Sequence, residues 1–290
     1  METDMKKITS ILAAGGDARQ LYCAERLAAD FDISVTGFSD SAFPEGLALK
    51  RLEPGEKQLF DCVILPVPAL DGKGNVNAPL AEEELPLEAV RELLAPDGLV
   101  LAGRPTEELR RAFPEAPVID YTAREELCLR NAVPTAEGAV QIALSELPVT
   151  LCGLPVLIVG LGRIGTALAG ILRGFGARVS AAVRSPVGMA KAAAMGIPAV
   201  SLDDLSSYGL VVNTAPALVL DRERLSTAGT SALFIDLASK PGGIDMEAAA
   251  ELGLRVIWAL GLPGRCAPVT AGHIAADTIA GILAERGLTS

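Results

Sequence analysis

Two doubly wound, Rossmann-like α/β domains, with parallel sheets facing a shared cleft, are the fold class that this sequence predicts. Three observations carry it. Short apolar runs alternate with amphipathic stretches through both halves of the chain, and each half opens with a strand, a glycine turn and a helix. At 290 residues, half of them apolar, the chain is long enough to bury two substantial cores.

In the first half, "ITSILAAGG", "ISVTGF", "CVILPVP", "GLVLAG" and "PVID" read as buried strands, with 19–29 and 87–94 as helices between them. Residues 122–147 hold no glycine except Gly138, and their helical apolar rhythm breaks at Pro134, so two connecting helices are expected. The domain boundary falls in this stretch. An N-terminal domain over 1–125 would meet substrate or partner, and a dinucleotide-binding domain over 126–290 would include the connecting helices, 126–150. In that second half "PVLIVG", "VSAAV", "LVVNTA", "ALFIDLA" and "RVIWAL" read as strands, with 163–173 and 246–252 as helices. After Ala267, "PVTAGHIAADTIAGILAERG" has helical spacing, with Thr270 as N-cap of a closing helix (270–287) that could cross back onto the first domain.

The starts "ILAAGGDARQL" and "LIVGLGRIGTAL" echo each other. Ligands of doubly wound sheets bind beyond the carboxyl ends of the strands, so two such units facing each other would share a cleft built from their turns. The echo is equally how any α/β domain begins.

A net charge of -11 and a pI near 4.7 argue against nucleic acid or an anionic membrane as partner, since either demands a basic face. An anionic substrate would need its own cluster of cations. Cys23, Cys62, Cys128, Cys152 and Cys266 are scattered, with neither a CxxC pair nor metal-ligand spacing, and read as buried, reduced thiols of a cytoplasmic protein with no metal site. Lys6 and Lys7 precede an apolar stretch that Gly15, Gly16, Asp17 and Arg19 interrupt, and no run approaches the length of a membrane span.

"VGLGRIG" supplies Gly160, Gly162 and Gly165 in GxGxxG spacing, directly after a strand and opening a helix. The first glycine allows the turn, the second lets backbone approach a pyrophosphate, and the third lets helix and strand pack closely. With Arg163 and Ile164 they form the phosphate-binding turn at the helix N-terminus. About twenty residues further on, where an NAD-binding chain places a carboxylate for the ribose hydroxyls, stand Arg184 and Ser185. A cation there pairs with a 2′-phosphate, so NADP is the expected cofactor. The plainer reading of Arg184 as a solvated surface cation leaves NAD and NADP open. Asn213, Thr214 and Pro216 of "NTAP" end a strand where a turn could touch the nicotinamide half.

For the chemistry, the lone His273 in "TAGHIAAD" is either an acid/base or a helix-surface residue. "DLASKPGG" sets Lys240 just past a buried strand. Lys240, Arg19 and Arg265 all occur in glycine- or proline-rich turns and are the local cations that a dianionic substrate would need, with Thr270 as a further substrate-binding candidate; Asp17, Arg19 and Lys240 are the candidate catalytic residues.

"GGDARQ" (15–20), "ILPVPA" (64–69), "PTAEG" (134–138), "GLGRIG" (160–165), "NTAP", "DLASKPGGID" (236–245) and "GLPGRCAPVTAG" (261–272) together give the chain a resemblance, over nearly its whole length, to the family of dipicolinate synthase A subunits. The resemblance implies oxidation of a dihydrodipicolinate-type cyclic imine dicarboxylate, formed from 4-hydroxy-tetrahydrodipicolinate at a branch of lysine biosynthesis, to dipicolinate during endospore formation. It also implies the flavoprotein-like B subunit of that synthase as partner and the cytoplasm of the mother cell as location; a homo-oligomer is admissible too. A more distant likeness to D-2-hydroxyacid dehydrogenases sets Lys240 near the place of their catalytic arginine. The acidic partner of their histidine has no counterpart in "WALGLPGRCAPVT". Two competing readings stand beside the resemblance: a 2-hydroxyacid or shikimate-type dehydrogenase, and a non-catalytic dinucleotide-binding partner of a flavoprotein.

Overall fold

The computed structural model describes residues 7–52 and 55–289, so Lys6 lies outside the described residues. The chain divides into two compact units, Met1–Asn131 with Ala267–Ser290, and Ala132–Cys266.

The first unit is built from β1 (Ser10–Ala14), α1 (Ala18–Leu27), β2 (Asp32–Thr36), β3 (Lys50–Arg51), β4 (Phe60–Ile64), α2 (Leu87–Arg91), β5 (Leu94–Ala102), α3 (Glu107–Ala112) and β6 (Val118–Asp120). Its parallel sheet has the order β3-β2-β1-β4-β5-β6. Side chains of a strand alternate between faces, and here both faces are apolar. Ile11, Ala13, Cys62, Ile64, Leu99 and Leu101 enter one core, while Leu12, Ala14, Val63, Leu65, Val100 and Ala102 enter the other. This double burial is why the strands read as unbroken apolar runs. The expected helix at 87–94 is shorter, because Leu94 already pairs with Phe60 in the sheet.

The connecting stretch is one helix, α4 (Glu125–Glu146), with Pro134 inside it, not two. Leu127 near its start belongs to the first core, and Ala136, Ala139, Val140 and Ala143 belong to the second. Burial on both sides of Pro134 holds the helical path across the one hydrogen bond that proline cannot make.

The second unit continues with β7 (Pro155–Val159), α5 (Arg163–Gly174), β8 (Arg178–Ala182), α6 (Pro186–Ala194), β9 (Ala199–Val200), β10 (Leu210–Asn213), α7 (Arg222–Leu225), β11 (Leu233–Asp236), α8 (Met246–Glu251), β12 (Arg255–Trp258) and α9 (Leu262–Cys266). Its sheet order is β12-β11-β10-β7-β8-β9, again parallel. Counted from its own first strand, each sheet runs 3-2-1-4-5-6, so the sequence echo marks one topology used twice. Val156, Ile158, Leu210, Val212 and Ile235 pack on one face under α5; Leu157, Val159, Val211 and Phe234 pack on the other under α8.

The last helix, α10 (Pro268–Glu285), packs within the first unit, where Ile274, Ile279, Ile282 and Leu283 join the core under α1. A Cβ on Gly272 would lie 2.5 Å from the Arg19 carbonyl oxygen, so this glycine sets how closely α10 approaches α1. Thr270 is not the N-cap. The cap is Ala267, without a side-chain bond, because Pro268 supplies the first helical dihedral and needs no donor there.

The cysteines are free. Cys23 and Cys62 are buried, and burial pushes the Cys23 thiol up to about 12 and that of Cys62 upward as well, with the charges of Asp277 and Asp61 adding to it. Cys128 and Cys266 are half-buried and Cys152 is exposed, so these three depart from the expectation of burial. Among the described residues no helix is long and apolar enough to cross a membrane.

Candidate functional site

Each glycine of "GLGRIG" has a distinct physical reason. Gly160 leaves β7 with φ +91°, a region that L side chains rarely adopt. Gly165 touches the turn itself: a Cβ there would lie 2.1 Å from the Gly160 carbonyl oxygen. Gly162, the N-cap of α5, has nothing within 4 Å of where its Cβ would be. Backbone conformation explains the first glycine, close packing the third, and open space in front of the turn the second. The first N–H groups of a helix lack intrahelical partners, so an anion fits in front of Gly162, Arg163 and Ile164.

A cavity of about 780 Å³ adjoins this turn, lined by Gly160, Gly162, Arg184, Ser185, Lys191 and Ala215 among others. Arg184 is exposed and makes no hydrogen bond or ion pair among the described residues. Ser185 caps α6: its Oγ accepts from the Gly188 N–H at 3.0 Å, which leaves the hydroxyl proton free to donate. No carboxylate occupies the end of β8; the acid in the lining, Asp203, follows β9.

"NTAP" and "DLASKPGG" are one connected construction. Asn213 is fully buried, donates to the Ala215 carbonyl (3.0 Å) and to Asp236 Oδ1 (2.7 Å), and accepts from the Ala215 N–H (3.1 Å). Thr214 Oγ1 donates to the carbonyls of Val159 and Gly160 at 3.0 and 3.1 Å. Both side chains are therefore engaged within the turn, while Ala215 lines the cavity and Pro216 is exposed. Asp236, 1% exposed, also accepts from the N–H groups of Ala238 (3.0 Å) and Gly243 (2.8 Å). Trp258 Nε1 donates to the Ala238 carbonyl at 2.9 Å. The loop that carries Lys240 is thus fixed from below, and Lys240 is exposed with no partner among the described residues. Sequence reading passed over Asp236 and Trp258. The available signal was a carboxylate ending an otherwise apolar strand, which needs donors to be buried there.

The corresponding turn of the first unit is filled by its own chain. The Gly15 N–H donates to the Thr36 carbonyl and the Gly16 N–H to that of Asn77, and a Cβ on Gly15 would lie 2.9 Å from that same Asn77 oxygen. Arg19 is not a free cation. Its Nε donates to Asp17 Oδ1 at 2.8 Å and its Nη2 to Oδ2 at 2.8 Å, while Asp17 also caps α1. Burial lowers the pKa of this guanidinium, and the hydrogen bond and charge of Asp17 outweigh it, so the value stands above the ordinary one. Asp17 accordingly has both oxygens engaged and acts as the holder of Arg19, not as a free base. Arg265, on α9, and Thr270, on α10, are both exposed. His273 lies on α10 with Nε2 3.7 Å from Glu25 Oε2. That carboxylate comes from α1, where no local motif would reveal it, and the separation exceeds a hydrogen bond.

Residues 135–244 match the family model of the D-isomer specific 2-hydroxyacid dehydrogenase NAD binding domain. With the open glycine turn, this makes the chain a nicotinamide-dinucleotide-dependent oxidoreductase. Residues 10–121 match the family model of the N-terminal domain of the dipicolinate synthase A subunit. The A subunit of dipicolinate synthase from Bacillus subtilis (strain 168) is 32% identical over 285 residues, 95% of this chain and 96% of that one. The crystal structure of the same subunit from Bacillus halodurans superposes with a TM-score of 0.85 at 30% identity, covering 97% of this chain and 99% of that one. The corresponding crystal structure from Bacillus subtilis gives 0.82 at 30% identity, covering 98% of each. The chain belongs to the family of dipicolinate synthase A subunits, and membership implies a partner subunit.

Proposed function

We propose that this chain takes NADP and oxidises a dihydropyridine dicarboxylate to dipicolinate, as the dinucleotide-binding subunit of a two-subunit synthase whose other chain is flavoprotein-like. The observation that carries the cofactor half is the uncommitted Arg184 guanidinium beside the Ser185 hydroxyl, on the cavity that adjoins Gly162. In this reading the backbone of Gly160, Gly162, Arg163, Ile164 and Gly165 holds the pyrophosphate, Arg184 and Ser185 hold the 2′-phosphate, and the nicotinamide supplies the hydride acceptor. The chain's own contribution is to orient the ring and neutralise its carboxylates. Loss of a hydride and a ring proton yields an aromatic product, so the step asks less of an acid/base relay than hydroxy-acid oxidation does. Lys240 and Arg265 are the exposed cations assigned to the substrate, with Thr270 as a hydroxyl donor, and Arg19 contributes a guanidinium oriented by Asp17. Membership of this family supports a place in the cytoplasm of the mother cell of a spore-forming bacterium.

The cofactor assignment is tested by calorimetric titration of both dinucleotides. A charge-assisted contact to phosphate contributes roughly 1.5–3 kcal/mol, so Arg184→Ala should weaken NADP binding by about one to two decades and leave NAD nearly unchanged. Equal losses for both dinucleotides would remove the assignment.

A further inference from the structure

Arg104 is the one non-glycine residue with a left-handed backbone among the described residues, at φ 52°. It directly follows Gly103 at the carboxyl end of β5, the neighbour of β4 in the first sheet. The backbone on either side is pinned. The Gly103 N–H donates to the Pro66 carbonyl at 3.2 Å, the Ala69 N–H donates to the Gly103 carbonyl at 3.1 Å, and a Cβ on Gly103 would lie 2.2 Å from Val67 Cγ2. The Arg104 N–H donates to Asp120 Oδ1 at 3.3 Å, an oxygen that also accepts from the Thr122 N–H at 2.8 Å. The surroundings therefore impose a conformation that suits glycine or asparagine, and the chain places an arginine in it.

The Arg104 side chain is exposed and makes no hydrogen bond or ion pair among the described residues. Backbone held in a sparsely populated region clusters at ligand-binding positions, and ligands of such sheets bind beyond the carboxyl ends of the strands. In the same unit Nε and Nη2 of Arg19 both donate to Asp17, so that two-nitrogen edge of its guanidinium is taken and cannot form a bidentate pair with a ligand carboxylate. A planar carboxylate offered to this rim meets Arg104 as a guanidinium with its fork free.

We propose that Arg104 anchors one of the two ring carboxylates of the substrate through a bidentate pair, and so selects a dicarboxylate over a monocarboxylate. This rests on the dicarboxylate reading above.

The test titrates the full chain, saturated with NADP, with pyridine-2,6-dicarboxylate and with pyridine-2-carboxylate, for the wild type, Arg104→Gly and Arg104→Lys. The wild type should prefer the dicarboxylate by about tenfold or more, the scale of one charge-assisted pair. Arg104→Gly should erase that preference while its melting temperature holds or rises, since glycine relieves the left-handed strain. Arg104→Lys, a point charge without the fork, should keep part of the preference. An Arg104→Gly protein that retains the full preference overturns this inference and leaves the dicarboxylate reading standing. A variant that melts lower and loses both ligands equally overturns it in favour of a structural role. A wild type that does not prefer the dicarboxylate overturns both the reading and the inference.

Discussion

Gly162→Ala should leave the melting temperature nearly unchanged and weaken dinucleotide binding by about tenfold to a hundredfold, or roughly 1.4–2.8 kcal/mol, whereas Gly165→Ala should lower stability and binding together. The two glycines stand three residues apart in one motif, and the structure separates their reasons. At Gly162 the backbone is extended, φ -75° and ψ -162°, and a Cβ would meet nothing within 4 Å, so alanine fits the protein and intrudes only on what approaches the turn. At Gly165 a Cβ would meet the Gly160 carbonyl oxygen at 2.1 Å, and backbone cannot swing aside as a side chain can. Overpacking of this kind costs about 1–3 kcal/mol, and α5 would have to lift from β7 to relieve it. Thermal melts paired with calorimetric titrations check both halves. A Gly162→Ala protein that binds NADP like the wild type would mean that the open space in front of α5 is not the phosphate site.

Asp236→Ala should destabilise the second unit by roughly 3–5 kcal/mol, because it strands two main-chain N–H groups and an amide in a buried place, each worth about 1–3 kcal/mol unpaired. The three donors are Ala238 N–H, Gly243 N–H and Asn213 Nδ2. They belong to two different turns, one beside the cavity and one carrying Lys240. A Cβ on Gly243 would lie 2.2 Å from Asn213 Nδ2, so the two turns already touch and cannot relax independently. Loss of the carboxylate should therefore weaken NADP binding even though Asp236 is buried beneath the turn. Asp236→Asn, which keeps one acceptor oxygen, should cost less. Denaturant unfolding of both variants measures the difference, and an Asp236→Ala protein as stable as the wild type would show that water satisfies these donors equally well.

The two sheets were legible because a doubly buried strand leaves an unmistakable apolar run, as in "PVLIVG" and "ALFIDLA". The two-residue strands β3 and β9 were not, since Lys50–Arg51 and Ala199–Val200 are too short for any period and take their pairing from neighbours. Pro134 misled in the opposite direction: local chemistry predicts a break, and burial of the alanines after it overrides the local preference. At the site, Gly160, Gly162 and Gly165 could be read from spacing because each role depends on the absence of a Cβ. Pairing is different. That Arg19 closes on Asp17, that Asn213 turns inward to Asp236, and that Arg104 sits in a left-handed conformation depend on backbone paths that residue identity alone does not encode.

Under the proposed function, this chain performs NADP-dependent oxidation of a dihydropyridine dicarboxylate. The most direct measurement supplies the purified chain with freshly generated dihydrodipicolinate and either NADP or NAD, with and without the flavoprotein-like chain proposed as its partner. It follows reduced nicotinamide by absorbance and dipicolinate by chromatography in the same samples. The two products should appear in equal amounts, NADP should support a faster rate than NAD, and Arg184→Ala should abolish this advantage. Dipicolinate formed with no reduced nicotinamide, by the partner alone or by the pair, would overturn this function and make the chain a dinucleotide-binding companion of the enzyme.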